Sequence, residues 1–339
     1  TRTVSTSVST MRPYQESALD AIEQALAHLQ NRALVKMPTG TGKTQVFAEL
    51  FKREAIQRWL ALWPRRGAQM LVIAHREELL DQAARRISAQ NRDLMVSIEQ
   101  GDRFSNRYSD VIIASIQTLS ARKCARLKKL LQHHGHFPIV VCDECHHSAS
   151  PSYRTAFVHL GFLPKADLSD SEDIEAPSYD DVELMTRALD GWDLVAPKDR
   201  LLLGVTATPN RTDAIGLSCV FQTIAYSYGL KQAISDGWLA PPKPWVIETA
   251  ANLDQVRISH GDFNQKDLAE TVNNPQRNRL AVESWQLHAG DRSTLAFTVD
   301  VAHAHDLAET FRGYGVRAEA LSGETPKDER REMLDAYTK

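Results

Sequence analysis

The strongest constraint in the chain is Met37-Pro38-Thr39-Gly40-Thr41-Gly42-Lys43-Thr44. It follows the apolar run Ala33-Leu34-Val35 and precedes Val46, Phe47, Leu50 and Phe51 at helical spacing. A short strand, a Gly-rich turn and a Lys-Thr pair opening an amphipathic helix make the phosphate-loop arrangement. The glycines let backbone N–H groups curl onto phosphate oxygens, and the helix start adds its positive end. Pro38, Thr39, Gly40, Thr41 and Gly42 supply that cradle. Lys43 reaches the outer phosphates, and the Thr44 hydroxyl is a ligand for Mg²⁺. The usual first Gly of the G-x-x-x-x-G-K-[ST] pattern is Met37 here. A plain Gly-rich turn before a helix is the competing reading, and the flanking strand and helix weigh against it.

An acidic partner for such a loop lies farther along. Pro138-Ile139-Val140-Val141-Cys142-Asp143-Glu144-Cys145-His146-His147 is an apolar strand ending in adjacent carboxylates. Asp143 is placed to hold Mg²⁺, and Glu144 to orient or deprotonate an attacking water. Two rivals share these letters. Cys142-x-x-Cys145-His146 matches a c-type haem attachment pattern, and the Cys/Cys/His/His set has the donors of a zinc site. Haem attachment belongs to exported proteins, and the sequence shows no export signal. A zinc site wants its ligands on turns with a second pair nearby, whereas Cys142 ends an apolar run and Cys124 and Cys219 are far off. Strand alternation sets Cys142 opposite Asp143, which makes a core role the simpler reading. Neither haem nor zinc is expected.

Around these motifs, strand-like runs alternate with helical ones. Residues 70–74 and 111–114 are short apolar runs, and Leu201-Leu202-Leu203-Gly204-Val205 is another. Leu79, Leu80, Ala83 and Ile87 recur at helical spacing, as do Leu19, Ile22, Leu26 and Leu29 after Arg12-Pro13-Tyr14-Gln15. The alternation predicts an α/β fold, a parallel sheet with helices on both faces and ligands at the carboxyl ends of its strands. The phosphate loop, His75-Arg76-Glu77, Gln117-Thr118 and Thr206-Ala207-Thr208-Pro209-Asn210 all fall at such ends. Hydroxyls there can sense a γ-phosphate. Arg122, Lys123, Arg126, Lys128 and Lys129 read as a basic helix, equally well a solvated face or a phosphate-backbone contact. Residues 165–200 crowd acidic side chains around one helix-spaced set, Val182, Met185, Leu189 and Trp192, and read as a surface insertion.

Composition adds bounds. At 339 residues, 42% hydrophobic and 24% charged, the chain reads as globular and about two domains long. A formal net charge of −3 gives no global basic signal, so any nucleic-acid site must be a local patch. Four cysteines in this length give no disulfide scaffold and point to a reducing cytoplasm. No apolar run reaches membrane-spanning length, so no membrane partner is expected. Residues 1–11 are expected to be a disordered Ser/Thr-rich tail, with Met11 a natural start.

PTGTGKT, AHREELLDQA, ASIQTLS, DECHH and GVTATPNRTD stand in the order found in superfamily 2 helicases and translocases of the DExH kind. From Met11 onward the chain resembles that family. RPYQ and DECHH are similar to its branch of type III restriction-enzyme motors and DNA repair helicases. The resemblance implies two RecA-like domains and an ATP-dependent motor on DNA, with RNA less favoured, using Mg²⁺ with ATP. It implies that Arg12 and Gln15 contact adenine, that Lys43 and Thr44 bind phosphate and Mg²⁺, and that Asp143 and Glu144 serve metal and water. His146, Thr206 and Thr208 would couple hydrolysis to movement. Arg76, Gln117 and Thr118 would touch the nucleic-acid backbone. Met37 fits the looser first position of this family's loop.

A Pro-rich hinge, Ala240-Pro241-Pro242-Lys243-Pro244, divides a first domain at 12–238, with its insertion at 165–200, from a second at 239–339. In the second, strands are expected at 245–247, 294–298 and 316–321, and helices at 277–288 and through Ala304, Leu307, Ala308 and Phe311. This resembles the first half of the family's second RecA-like domain. The family's last two motifs, with the arginines that complete the ATP site, do not occur before Lys339. The expectation is a truncated motor, weak or inactive in hydrolysis. A nucleotide-binding module without productive turnover is the alternative.

Overall fold

Short runs of Val, Ile and Leu, apolar on both faces, suit strands that are covered on both sides. In the computed structural model, which describes residues 11–63, 68–75, 77–164, 200–208, 216–249, 251–259, 262–290 and 292–337, such runs form one sheet. Its strands are β1 (Arg32–Lys36), β2 (Met70–Ala74), β3 (Val96–Glu99), β4 (Val111–Ser115), β5 (Ile139–Asp143), β6 (Leu201–Thr206) and β7 (Thr223–Ser227). Their order is β3-β4-β2-β5-β6-β1-β7, and every pairing is parallel. The strands β2, β4, β5 and β6 are buried from end to end.

Side chains alternate between two cores. Ile139 and Val141 of β5 face one, with α1 (Pro13–Ala27), α2 (Lys43–Glu49), α3 (Glu54–Leu60) and α4 (Glu77–Gln90) supplying Leu19, Phe47, Ile56 and Ile87. Val140 and Cys142 face the other, with Leu127 of α5 (Ile116–His134) and Phe157 of α6 (Pro151–His159). The parallel sheet with helices on both faces is therefore present as the alternation predicts. The edge strands β3 and β7 escaped the sequence reading, because Ser97, Glu99, Thr223 and Ser227 break their apolar pattern.

Three details differ from expectation. Leu29, read as continuing the stripe of α1, lies beyond the helix and is exposed, while Ala18 and Ala25 complete the buried face. The basic stretch of α5 is not one continuous helix. Ala121 to Cys124 leave helical geometry, with Arg122, Lys123 and Cys124 left-handed, and the turn buries Cys124 and Leu127 in the core. The third difference lies past residue 241.

The chain forms two compact units, Thr1–Pro241 and Pro242–Lys339. Within the second, helices run at Gln265–Val272, Pro275–Ala289, Val301–Gly313 and Lys327–Tyr337. The strands expected at 245–247, 294–298 and 316–321 are not formed; the chain there joins no ladder, and Val246 and Phe297 are more than nine-tenths exposed. An apolar run becomes a strand only when a neighbour takes its backbone groups. Among the described residues the second unit pairs only Ile258–Ser259 with Asp262–Phe263. The tail at 1–10, most of the acidic insertion with its helix-spaced set, Arg76, Pro209 and Asn210 lie outside the described residues.

Candidate functional site

The strand order brings three motifs together. β6 lies between β5 and β1, so the carboxyl ends carrying Asp143, Thr206 and the 37–44 loop are neighbours. Register sets Asp143 beside Val205 and Lys36 beside Thr206.

The loop leaves β1 through Met37, whose N–H donates to the Thr206 carbonyl at 2.9 Å and whose side chain is fully buried. The first position of the pattern is thus spent on packing, which is why it need not be glycine. Gly40 and Gly42 adopt φ of +85° and +82°. A Cβ on Gly42 would stand 2.6 Å from Nε2 of Gln15. Between the glycines, the buried Thr41 is gripped from behind. Its carbonyl accepts from the Tyr14 hydroxyl and from Gln15 Nε2, both at 2.9 Å, and its own hydroxyl donates to the Pro38 carbonyl at 2.6 Å. Gly42 then caps α2, which opens with Lys43 and Thr44.

Lys43 Nζ lies 3.5 Å from Glu144 Oε1. Asp143 closes β5 and is buried. Desolvation first, and Glu144 second, push its carboxyl up to about 6, against the pull of the Glu144 backbone N–H and Lys43. Glu144 sits in the left-handed region, φ 48° and ψ 49°, a conformation that costs a non-Gly residue roughly 1–3 kcal/mol and that turns its carboxylate back toward Lys43. His146 Nδ1 is 3.1 Å from the Thr206 hydroxyl and 3.4 Å from Glu144 Oε2. The Thr208 N–H donates to the same Thr206 hydroxyl at 3.2 Å. Cys142 and Cys145 are buried in the core under α5 and α6, where desolvation holds both thiols well above their usual range.

Arg12 and Gln15 stand at the start of α1. Gln15 is buried, with Oε1 accepting from the Arg12 N–H at 2.9 Å and Nε2 committed to Thr41. Arg12 donates to the Tyr14 hydroxyl at 2.9 Å and lies 4.7 Å above the Trp238 ring. Tyr14 stacks on Tyr228 at 4.4 Å and meets Trp238 edge-on. Sequence reasoning missed Tyr228 and Trp238; the signal was an aromatic on each side of α7 (Leu230–Ser235) just before the Pro-rich hinge. It also missed Gly204. A Cβ there would stand 2.4 Å from Phe221 and 2.9 Å from Cys145 Sγ, so glycine lets the turn after Asp143 close against β6.

A second group forms at the adjoining carboxyl ends of β2 and β4, where Ala74 pairs with Ser115. Gln117 Nε2 donates to the His75 carbonyl at 2.9 Å. Ser115 caps α5, its Oγ accepting from the Thr118 N–H at 3.1 Å. His75 stacks on His147 at 4.8 Å, and His147 meets His146 at a tilt with centroids 4.1 Å apart, a row of rings joining the two groups. The structure thus collects Lys43, Asp143, Glu144, His146, Thr206 and Thr208 in one group and Gln117 and Thr118 in another.

The donors suit Mg²⁺ with a nucleotide. A buried carboxylate held high by desolvation is a group that a cation would keep ionised. No set of three or more His, Cys, Asp or Glu fit to hold a metal occurs among the described residues. Oxygen ligation by one carboxylate, one hydroxyl and phosphate is the Mg²⁺ pattern.

A parallel sheet with a Gly-rich phosphate loop after one strand and paired carboxylates after another defines the phosphate-loop NTPase class. Residues 9–211 match the family described as type III restriction enzyme, res subunit, and the chain belongs to that family. Two curated relatives are similar over nearly the whole chain. "Putative mitochondrial ATP-dependent helicase irc3" of Schizosaccharomyces pombe is 28% identical over 331 residues, 97% of this chain and 47% of the relative. "Putative ATP-dependent helicase IRC3" of Saccharomyces cerevisiae is 28% identical over 337 residues, 98% of this chain and 43% of the relative. The chain spans about half the length of these relatives. Among solved structures, the type ISP restriction-modification enzyme LlaBIII bound to DNA is similar with a TM-score of 0.54 at 14% identity, covering 97% of this chain and 23% of that one. "The fragment structure of a putative HsdR subunit of a type I restriction enzyme from Vibrio vulnificus YJ016" gives 0.50 at 19% identity, covering 89% of this chain and 45% of that one. These likenesses show the RecA-like α/β fold. No helix among the described residues is long and apolar enough to cross a membrane.

Proposed function

We propose that the chain is the motor portion of an ATP-dependent DNA helicase or translocase. The observation that carries this reading is the convergence of the phosphate loop, Asp143-Glu144 and Thr206 on three adjacent strand ends. In it, the backbone of 38–42 and Lys43 hold the phosphates, Thr44 and Asp143 hold Mg²⁺, and Glu144 orients and deprotonates water. Bound Mg²⁺ supplies neutralisation of charge on the outer phosphates. Arg12 and Gln15 sit beside the base. Trp238 offers a ring next to Arg12. His146, Thr206 and Thr208 form one hydrogen-bonded set that changes partners when the outer phosphate leaves. Gln117 and Thr118 take the nucleic-acid side, and Arg76 is assigned to it from its place in the sequence motif; these residues contact backbone and carry no base code, so RNA is an alternative to DNA. The first unit is the ATP-binding domain, and the residues past the Pro-rich hinge begin a second RecA-like domain.

A second reading, a nucleotide-binding module with little turnover, is favoured by one observation. The described residues of the second unit form no parallel sheet. Steady-state ATP hydrolysis with and without single- and double-stranded DNA tests both. DNA-stimulated turnover that Glu144→Gln abolishes supports the motor. ATP binding without stimulated turnover supports the module, and no ATP binding refutes both.

A further inference from the structure

The basic stretch of α5 and the loop joining β3 to β4 are used by nothing described so far. They lie at the β3 edge of the sheet, five strands from β1, or about 24 Å at an inter-strand spacing of about 4.8 Å. Helix α5 carries Arg122, Lys123, Arg126, Lys128 and Lys129 and not one Asp or Glu. Beside it, the loop holds Phe104 and Tyr108 out to solvent, 73% and 69% exposed. Each ring bears a guanidinium, with Arg126 3.8 Å above Phe104 and Arg107 5.0 Å above Tyr108. Between loop and helix lies a cavity of about 650 Å³, lined by Phe104, Arg107, Tyr108, Arg126, Lys129 and His133 among others. That volume is within the range of small-ligand sites and suits one splayed nucleotide.

The guanidinium over Phe104 is held in place. Arg126 pairs with the buried Glu99 carboxylate and donates to the carbonyls of Gly101 at 3.1 Å and Arg103 at 3.0 Å. Glu99 in turn accepts from the Ser105 N–H at 2.6 Å. The Gly101 N–H donates to the Thr118 hydroxyl at 3.2 Å, so this surface is continuous with the carboxyl end of β4.

We propose that this surface is a second nucleic-acid contact, a platform on which unpaired bases stack against Phe104 and Tyr108 while their phosphates lie on the cations of α5. It rests on the reading of the chain as a nucleic-acid motor. A single strand leaving Gln117 and Thr118 passes over Gly101 onto the two rings. Open aromatic faces accept any base, whereas a duplex keeps its base faces hidden, so the ligand is single-stranded. A purely acidic peptide would use the cations and leave both rings idle.

The test is equilibrium binding of a fluorescein-labelled oligothymidine, about 24 nucleotides long to cover more than one site, to the 339-residue chain. Phe104→Ala/Tyr108→Ala should weaken binding about ten-fold or more, since each base–aromatic stack contributes strongly. ATP binding and melting temperature should not change, because both rings are exposed. Phe104→Trp should keep the parent's affinity. Arg107→Ala/Lys129→Ala should reduce the slope of log affinity against log salt by about 1.4, two phosphate contacts on a single strand. If the parent binds the oligonucleotide and the ring variant binds it equally well, the platform is refuted and the motor reading stands. If the parent binds no oligonucleotide at all, both fall.

Discussion

Gly42 carries a steric demand that can be turned into numbers. Its φ is +82°, and a Cβ there would meet Gln15 Nε2 at 2.6 Å. Gly42→Ala therefore has two costs. Left-handed geometry costs an L-residue roughly 1–2 kcal/mol. Gln15 must also shift, yet it is buried and donates to Thr41 at 2.9 Å; losing that bond costs about 1–1.5 kcal/mol. The sum is about 2–3.5 kcal/mol. At roughly 2–4 °C per kcal/mol for a unit of this size, Tm should fall by about 4–14 °C. Gly237→Ala separates the two costs, because Gly237 has φ +76° with nothing within 4 Å of a built Cβ and should show strain alone. Thermal unfolding followed by circular dichroism measures both. Binding of a fluorescent ATP analogue should weaken by more than ten-fold in Gly42→Ala, because the displaced Gln15 no longer anchors Thr41 and the cradle opens. A Gly42→Ala protein that melts no lower than Gly237→Ala and binds nucleotide like the parent would refute the reasoning.

Other substitutions probe the same frame. Lys43→Ala should cut nucleotide affinity at least about ten-fold, roughly one charge-assisted contact, with little change in Tm; equal affinity would remove Lys43 from the site. Glu144→Gln should keep Mg-ATP binding but lose hydrolysis by about a hundred-fold or more, seen by comparing the binding isotherm with steady-state turnover. His136 is pushed down to about 4 from 6.5, by burial first and then by Arg200, whose Nη1 lies 3.2 Å from its Nδ1. Below pH 6.5 the unfolded chain takes up a proton that the folded chain resists, so stability is complete above 6.5 and falls as pH drops toward 4, by up to about 3 kcal/mol. Urea unfolding at pH 7 and pH 5 should show that loss in the parent and less of it in His136→Gln. Gly204→Ala should destabilise by several kcal/mol, about the cost of overpacking a core, since its Cβ would meet Phe221 at 2.4 Å; a normal urea midpoint would contradict this.

The sequence was most legible where a strand was apolar throughout and its end carried a chemical motif. β2, β4, β5 and β6 come near to both conditions, β1 has an apolar centre before the phosphate loop, and their alternation with helices made the parallel sheet readable. The edge strands lacked the first condition, since only one neighbour binds them and Ser97 or Thr223 meets water or loop. Met37 was read as a departure from the loop pattern, but the buried side chain shows the position belongs to the core. The runs around Val246 and Phe297 have strand composition and no partner, which a local pattern cannot reveal. Trp238 and Gly204 were invisible for a related reason. Each matters through a residue far along the chain, Arg12 for one and Cys145 for the other.

The strand order also sets a timetable for synthesis. β1 leaves the ribosome early, yet both of its neighbours come late, with Arg32 pairing Leu202 and Ala33 pairing Thr223. The block β3-β4-β2-β5 is complete once Asp143 has emerged and can close while β1 still waits. Such distant pairing is slow and leaves an apolar strand with two open edges in the meantime. The nascent chain is therefore most exposed to aggregation and most in need of chaperones in the interval before β6 and β7 arrive. Nascent chains halted before Leu201 should fail to retain ATP, and those halted well past Ser227 should retain it.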